Sequence, residues 1–300
     1  MSFDAQATAA LRDPPSAYNP LPDMTHLTYK DFENVYEPRE DSDLFLDVLK
    51  REFGGSTSPS TPLSQITEVG CGSGIISVGL ALLLMQMDPE PSISMTLTDV
   101  NPHALTAAQG TIAKNGFDTA DCQINFRSFL SDVTDTSSAL PPSDVILFNP
   151  PYVPTPSDEI YFLGSGSSES DTANDVKNDK NDGTANDNFY SAGDAISAAW
   201  AGGTDGREVL DLALPRIKRS LNRPHGVLYL VLVDDNDPQE VCDWWTRGGH
   251  SPRMESSFKN SSKIRDSKHP QYVMESGGGW SVVGRRIAKN EKLSILRLHL

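Results

Sequence analysis

The chain has 300 residues, 37% of them hydrophobic, and carries 41 acidic against 25 basic residues for a formal net charge of −16. That is enough apolar material for one large α/β domain or two small ones, while the acidic balance argues against a broad nucleic-acid binder, whose surface must attract phosphates. Three cysteines, Cys71, Cys122 and Cys242, follow neither metal-cluster nor short secreted-disulfide spacing. They favour a reducing compartment. With no basic-then-apolar leader and no apolar run long enough for a bilayer, the expectation is a soluble intracellular protein without a membrane partner.

Residues 1–27 are rich in Ala, Pro and Asp and are expected to be a flexible tail that packs weakly or not at all. Leu44, Phe45, Val48, Leu49 and Phe53 then fall at helical spacing, so Asp41 to Phe53 reads as an amphipathic helix with Ser42 as its cap. After a Ser/Thr/Pro/Gly connector the pattern turns βαβ. A strand over Ile66 to Val69 leads through Gly70-Cys71-Gly72-Ser73-Gly74 into an apolar helix from Ile75 to Met87. Ser94 to Thr98 is the next strand, and Asn101-Pro102 opens a helix with Asn at the cap and Pro at the first position. Further strands are read over Cys122 to Arg127 and Val145 to Phe148. Residues 164–188 are polar, acidic and almost free of large apolar side chains, and are expected to be a disordered insertion. A helix carrying Val209, Leu210, Leu212, Ala213 and Ile217, a strand over Gly226 to Val233, a helix over Asp237 to Arg247 and a terminal hairpin complete the reading. Strands alternating with helices imply a mostly parallel sheet covered on both faces, within a domain spanning residues 28–300.

The glycine turn permits close backbone approach and aims helix N–H groups at an anionic or polar ligand. Its GxGxG register, preceded by Glu68, points to a nucleoside-containing cofactor rather than a dinucleotide. Asp99, after the next strand, is placed to accept from both ribose hydroxyls, and Glu68 to face the positive end of S-adenosylmethionine. Asn101 reads either as a further cofactor residue or as a helix cap, which is sufficient to explain it. Asn149-Pro150-Pro151-Tyr152, just past the run Asp144 to Phe148, carries the most discrimination. Asn149 offers an amide oxygen, the prolines leave nearby carbonyls free to accept, and Tyr152 supplies a flat face, a set that suits both protons of a planar NH2. Hydrogen bonds to Asn149 and the Pro150 carbonyl stabilise charge developing on that nitrogen, and no acid–base triad is required. Tyr36 and Trp200 read equally well as half-buried aromatics or site residues, and Arg207 as a surface helix residue or one near substrate.

These residues resemble the eukaryotic and archaeal branch of the class I N5-glutamine methyltransferases, the HemK-like enzymes with an NPPY motif that modify the Gly-Gly-Gln glutamine of translation release factors. The motifs that match are Tyr36-Glu37-Pro38-Arg39-Glu40-Asp41, Glu68 to Gly74, Asp99 with Asn101-Pro102, Asn149 to Pro154, and Ala199-Trp200-Ala201-Gly202-Gly203 with Asp205-Gly206-Arg207. The resemblance implies a Rossmann-like α/β methyltransferase with a seven-stranded, mostly parallel sheet. It implies Tyr36, Glu37 and Pro38 near the cofactor and substrate mouth, Glu68, Gly70, Gly72, Asp99 and Asn101 around S-adenosylmethionine, and Asn149, Pro150, Pro151 and Tyr152 on the glutamine amide. Members of the branch often place an acidic residue near the end of the third strand to accept from the adenine amino group. Here Arg127-Ser128-Phe129-Leu130 leaves Ser128 as a weak substitute.

By the same resemblance the chain is the catalytic subunit of a heterodimer with a small zinc-binding activator, which would extend the sheet beside Cys122 to Phe126. Zinc belongs to that partner, and no metal is expected in this chain. The implied substrate is a release factor, with its GTPase partner, and the implied location is the cytoplasm with the nucleus as a second site. The alternatives are N6-adenine methylation of DNA or RNA, whose extruded base presents a similar NH2, and protein lysine methylation. The acidic balance weighs against the first, and a flexible ammonium makes poor use of a planar clamp.

Overall fold

The computed structural model describes residues 2–10, 21–54, 63–88, 91–119, 121–135, 139–160, 196–251, 253, 273–289 and 291–300. The insertion expected at 164–188 lies outside them. In chain order the elements are α1 (Phe3–Ala10), α2 (Glu40–Phe53), β1 (Gln65–Val69), α3 (Ile75–Met87), β2 (Ile93–Asp99), α4 (Pro102–Lys114), β3 (Ile124–Leu130) and β4 (Val145–Phe148). Then come α5 (Glu208–Ser220), β5 (Val227–Val233), α6 (Pro238–Arg247), β6 (Gly279–Ala288) and β7 (Glu291–His299). The seven strands form one sheet in the order β3-β2-β1-β4-β5-β7-β6. β1 to β5 run parallel, and β7 pairs antiparallel with β5 and β6. This is the Rossmann-like class I methyltransferase fold.

β5, the sequence VLYLVLV, shows why the sheet is sandwiched. Leu228, Leu230 and Leu232 pack into one core with Phe3, Leu210, Val241 and Trp245, while Tyr229, Val231 and Val233 pack into another with Phe45, Leu49, Val78 and Ile112. Successive side chains point to opposite faces, so an unbroken apolar strand requires helices on both. At roughly 1.5–3 kcal/mol per buried aliphatic side chain, this alternation fixes the register strongly. At the amino ends of the strands, Asp144 accepts from the Ser64 and Gln65 N–H groups at 2.8 and 3.0 Å and from Asn222 Nδ2 at 2.7 Å, tying together the starts of β1, β4 and β5. The opposite ends are left for the site.

Three expectations are corrected. Residues 2–10 are no loose tail: Phe3 and Ala7 are buried against the sheet, and Gln6 Oε1 accepts from the Val282 N–H of edge strand β6 at 3.0 Å. An apolar pair at i and i+4 with an amide between them gives α1 one face to bury and one acceptor for an unpaired edge. Residues 23–27 are also tied down, since Asp23 and Asn115 exchange hydrogen bonds at 2.9 Å and His26 Nε2 lies 3.2 Å from the Ala107 carbonyl of α4. Second, α2 is capped at Arg39 without a side-chain bond, and Ser42 is buried inside the helix. Third, β3 starts two residues later than expected and runs three further, to Leu130.

Candidate active site

A cavity of about 460 Å³ opens at the carboxyl ends of the parallel strands. It sits where the order reverses between β1 and β4, the position at which open α/β sheets bind ligands. Each strand delivers its own segment: Glu68 to Ser73 from β1, Asp99 to Asn101 from β2, Ser131 to Thr134 from β3 and Phe148 to Val153 from β4. Tyr36 to Ser42 closes one side with Arg39, Glu40 and Asp41, Ala198 to Ala201 closes another, and Ala288, Lys289 and Glu291 of the β6–β7 turn reach in from above.

The glycine turn takes positive φ at Gly70, Gly72 and Gly74 (65°, 52° and 78°), which bends the chain from β1 into α3 and turns the Gly72 N–H onto Asp99. Asp99 Oδ2 accepts that N–H at 2.9 Å and Oδ1 accepts the Asn101 N–H at 2.9 Å, so the carboxylate is held at the cavity wall. Burial nevertheless raises its pKa to about 6. Glu68 is more deeply enclosed. Burial pushes its carboxyl up to about 8, against the lowering effect of the Ser77 N–H, which donates to Oε2 at 3.1 Å.

Past β4, Asn149 Nδ2 donates to Asp41 Oδ2 at 2.9 Å, while Asn149 Oδ1 is buried with no hydrogen-bond partner among the described residues. A carboxylate only accepts, so Asp41 dictates which end of the Asn149 amide remains for a ligand. The same Asp41 oxygen accepts from the Tyr36 hydroxyl at 3.1 Å and the Tyr152 hydroxyl at 3.3 Å. Burial first, and the Asp41 charge second, hold both phenols well above the ordinary tyrosine range. Asp41 itself is fixed by the Ser42 N–H at 2.7 Å, in the first turn of α2, where a negative charge is favoured.

The structure therefore gathers Tyr36, Glu68, Gly70, Gly72, Asp99, Asn101, Asn149, Pro150, Pro151, Tyr152 and Trp200 around one cavity. It does not bring Glu37, Pro38, Ser128 or Arg207 to it. Glu37 is exposed and lies 3.6 Å from Arg39. Ser128 sits within β3 and accepts from Gln109 Nε2 at 2.8 Å, because the strand ends beyond it. Arg207 is fully buried and bonded to Asp211, the Asn236 carbonyl and Glu240. Asn101 lines the cavity, but its amide is spent on the His103 N–H and the Asn34 carbonyl, as a helix cap and a tether. Two residues to which the sequence assigned no role now matter. Asp41 was visible only as the end of the Tyr36 motif, and Asp132 was hidden by a third strand drawn too short, although Phe129-Leu130 would have extended it.

The donor set fits a cationic nucleoside cofactor: a glycine turn open to the cavity, paired carboxylates at Glu68 and Asp99, and an unpartnered amide oxygen beside them. Among the described residues no group of three or more His, Cys, Asp or Glu is placed to hold a metal ion, and no helix is long and apolar enough to cross a membrane. Fold and site define an S-adenosylmethionine-dependent methyltransferase of class I. The methyltransferase small domain family matches residues 40–160. Over 227 residues the chain is 31% identical to mouse "Methyltransferase HEMK2", covering 74% of this chain and 82% of that protein. It is 29% identical over 229 residues to the "eRF1 methyltransferase catalytic subunit mtq2" of Schizosaccharomyces pombe, covering 76% and 85%. The chain belongs to the HEMK2 methyltransferase family. Among solved structures, the E. cuniculi Mtq2-Trm112 complex, described as methylating the eRF1 termination factor, aligns at 20% identity with a TM-score of 0.44, over 89% of this chain and 98% of that one.

Proposed function

We propose that this chain methylates the side-chain amide nitrogen of the Gly-Gly-Gln glutamine in a translation release factor, as the catalytic subunit of a heterodimer with a small zinc-binding partner. The observation that carries the reading is the Asn149 amide, with its nitrogen anchored on Asp41 and its buried oxygen unpaired at the cavity. An unpaired buried acceptor costs about 1–3 kcal/mol, which a substrate NH2 recovers on binding. The name of the Schizosaccharomyces pombe relative supports the same substrate class.

In this reading Glu68, Gly70, Gly72 and Asp99 would hold S-adenosylmethionine, Asp99 as the acceptor available to a ribose and Asp132 as the one available to the adenine amine. When bound, the cofactor supplies an electrophilic methyl carbon on a sulfonium and leaves as the neutral thioether. Asn149 Oδ1 and the Pro150 carbonyl accept the two amide protons and orient the nitrogen toward that carbon. A carboxamide lone pair is delocalised, so catalysis rests on alignment, on excluding water, and on acceptors that strengthen as positive charge develops on the nitrogen. The methylated nitrogen, now carrying two protons and a positive charge, then gives one proton to solvent water and the neutral amide is restored. Tyr152 packs its ring beside the substrate while Asp41 holds its hydroxyl.

The partner is proposed to pair with β3, an edge strand bonded to β2 on one side alone among the described residues. The test is transfer of labelled methyl groups by the co-expressed heterodimer to a release factor carrying Gly-Gly-Gln or Gly-Gly-Ala, with adenine-containing DNA and RNA in parallel. Label on glutamine that is absent from the Ala control supports the reading. Label on nucleic acid alone replaces it with adenine chemistry at the same Asn149.

A further inference from the structure

Asn149-Pro150-Pro151-Tyr152 has a holding problem. Two of its four residues have no N–H, so the loop cannot be fixed by its own donors at Pro150 and Pro151 and must be fixed through its carbonyls and the chain beyond Tyr152. That chain forms a short ladder: the Val153 N–H donates to the Trp200 carbonyl at 3.0 Å, Gly202 N–H to the Val153 carbonyl at 2.9 Å, and Thr155 N–H to the Gly203 carbonyl at 3.0 Å. The carbonyl within the loop is taken by Asn236, in the turn after β5. Asn236 Nδ2 donates to the Tyr152 carbonyl at 2.9 Å and to the Asp205 carbonyl at 3.0 Å, and its Oδ1 accepts the Val233 N–H at 2.9 Å.

Asn236 is 0% exposed and held from behind, because its own carbonyl accepts from Arg207 Nη1 at 2.7 Å and Arg207 Nε donates to Asp211 at 2.9 Å. The other side of the Tyr152 carbonyl is closed by Gly206, at φ 66°, where any Cβ would overlap that oxygen. Gly202 backs the Pro151 carbonyl in the same way, since a Cβ there would come within 2.6 Å of it. The Tyr152 carbonyl is thus bonded and the Pro151 carbonyl packed against glycine, which fixes the chain on the C-terminal side of Asn149 and Pro150.

We infer that Asn236 is a positioning residue for methyl transfer, setting the register of Asn149, Pro150 and Tyr152 against the cavity by holding the Tyr152 main-chain carbonyl. This rests on the proposed glutamine chemistry. It also gives Arg207 and the Gly202–Gly206 segment a role without substrate contact: they buttress the clamp.

The variants are Asn236→Asp and Asn236→Ala in the heterodimer. Asn236→Asp keeps the shape and the acceptor for the Val233 N–H but puts an acceptor against two carbonyls, so it separates loss of the donor from loss of packing. Three quantities are read: cofactor affinity by calorimetry, the single-turnover rate on release factor at saturation, and amide exchange at Val153 and Thr155. Expected are unchanged cofactor affinity, a rate lowered by roughly 10- to 100-fold, and faster exchange at Val153 and Thr155 with Val227 to Leu232 of β5 unaffected, the Val233 N–H being bonded to Asn236 itself. In an Asn149→Ala background the Asn236 effect on rate should largely vanish, because the register then serves nothing. Wild-type rates in Asn236→Asp, or rate losses that simply add to those of Asn149→Ala, overturn the inference. Should the wild-type heterodimer transfer no methyl group to glutamine, the functional reading fails, and exchange at Val153 and Thr155 still decides separately whether Asn236 clamps the loop. Unchanged exchange there rejects it.

Discussion

Asn149 and Asp41 meet across 108 residues of chain, with Asn149 Nδ2 donating to Asp41 Oδ2 at 2.9 Å. The bond joins the loop after β4 to the first turn of α2 and leaves the amide oxygen buried without a partner among the described residues. Removing the carboxylate in Asp41→Ala frees the amide to rotate and takes the shared acceptor from Tyr36 and Tyr152. Methyl transfer should fall by roughly 10- to 100-fold, the scale expected when a reacting group is misplaced by about an ångström. Cofactor affinity should barely change, in contrast to Asp99→Ala, where it is lost first. Calorimetry and single-turnover kinetics on both variants separate the effects. An Asp41→Ala enzyme with full activity would remove Asp41 from the site.

Much of this was readable from sequence because it is local. β1, the glycine turn and α3 follow from an apolar run, three glycines and a second apolar run. β5 follows from seven consecutive apolar residues, and the Asn101-Pro102 cap from its residue types. The rest depends on contacts between distant segments. Nothing near Asp41 announces Asn149, Tyr36 and Tyr152 as partners, and Asn236 reads as the approach to α6 until its amide is seen on the Tyr152 carbonyl. Arg207 shows the same dependence: it is neither the surface helix residue nor the substrate neighbour that its sequence position allowed, but is buried against Asp211.

If Glu68 and Asp99 hold the cofactor as proposed, its binding should depend on pH. Both carboxyls are raised by burial, to about 8 and about 6. In the free protein their neutral forms are favoured, so the associated stability is present at low pH and is lost as pH rises through those values. On the proposed placement a cationic cofactor reverses the preference at Glu68 and a ribose does so at Asp99, so binding below pH 8 is expected to release a proton. Affinity should weaken as pH falls from 8 toward 6, by at most about tenfold per pH unit for one linked proton. Titration calorimetry in buffers of different ionisation enthalpy reads the proton directly. Glu68→Gln should bind more weakly at pH 8.5 and show a flatter profile. No proton release by the wild type at pH 7 would contradict the assignment of Glu68.

Beyond β3 it is Asp132, and not Ser128, that lines the cavity, and the proposed adenine contact passes to it. β3 continues to Leu130, the Ser131 N–H donates to the Asp99 carbonyl at 2.8 Å, and Asp132 arrives at the cavity wall with Oδ1 accepting from the Thr134 N–H and hydroxyl at 2.8 and 2.6 Å. Its main-chain carbonyl is fixed by Arg216 Nη1 at 2.6 Å. Asp132→Ala should weaken cofactor binding by about 1.5–3 kcal/mol, the range for a hydrogen bond to a charged group. The loss should shrink for a cofactor analogue lacking the adenine amine. Ser128→Ala should have no effect on either ligand, and the reverse pattern would restore Ser128 to the adenine contact.

The two edges of the sheet are treated differently, and this bears on the partner. At β6 the Val282 N–H is satisfied by Gln6 and the strand is covered by α1. β3 has β2 on one side, and its end carries Phe129 and Leu130 at 39% and 45% exposure. An open strand with apolar residues at its tip invites strand addition. Because Ser131 to Thr134 line the cavity directly beyond it, a partner seated there also borders the cofactor site. Leu130→Asp and Phe129→Asp should each reduce co-purification with the zinc-binding subunit, since a carboxylate buried in an interface without a partner is costly. A control at the other edge, Gln6→Ala, removes the bond to Val282 and should leave the heterodimer intact while lowering thermal stability. If the Asp variants retain full heterodimer and Gln6→Ala loses it, the partner binds at β6 and α1 must be displaced to admit it.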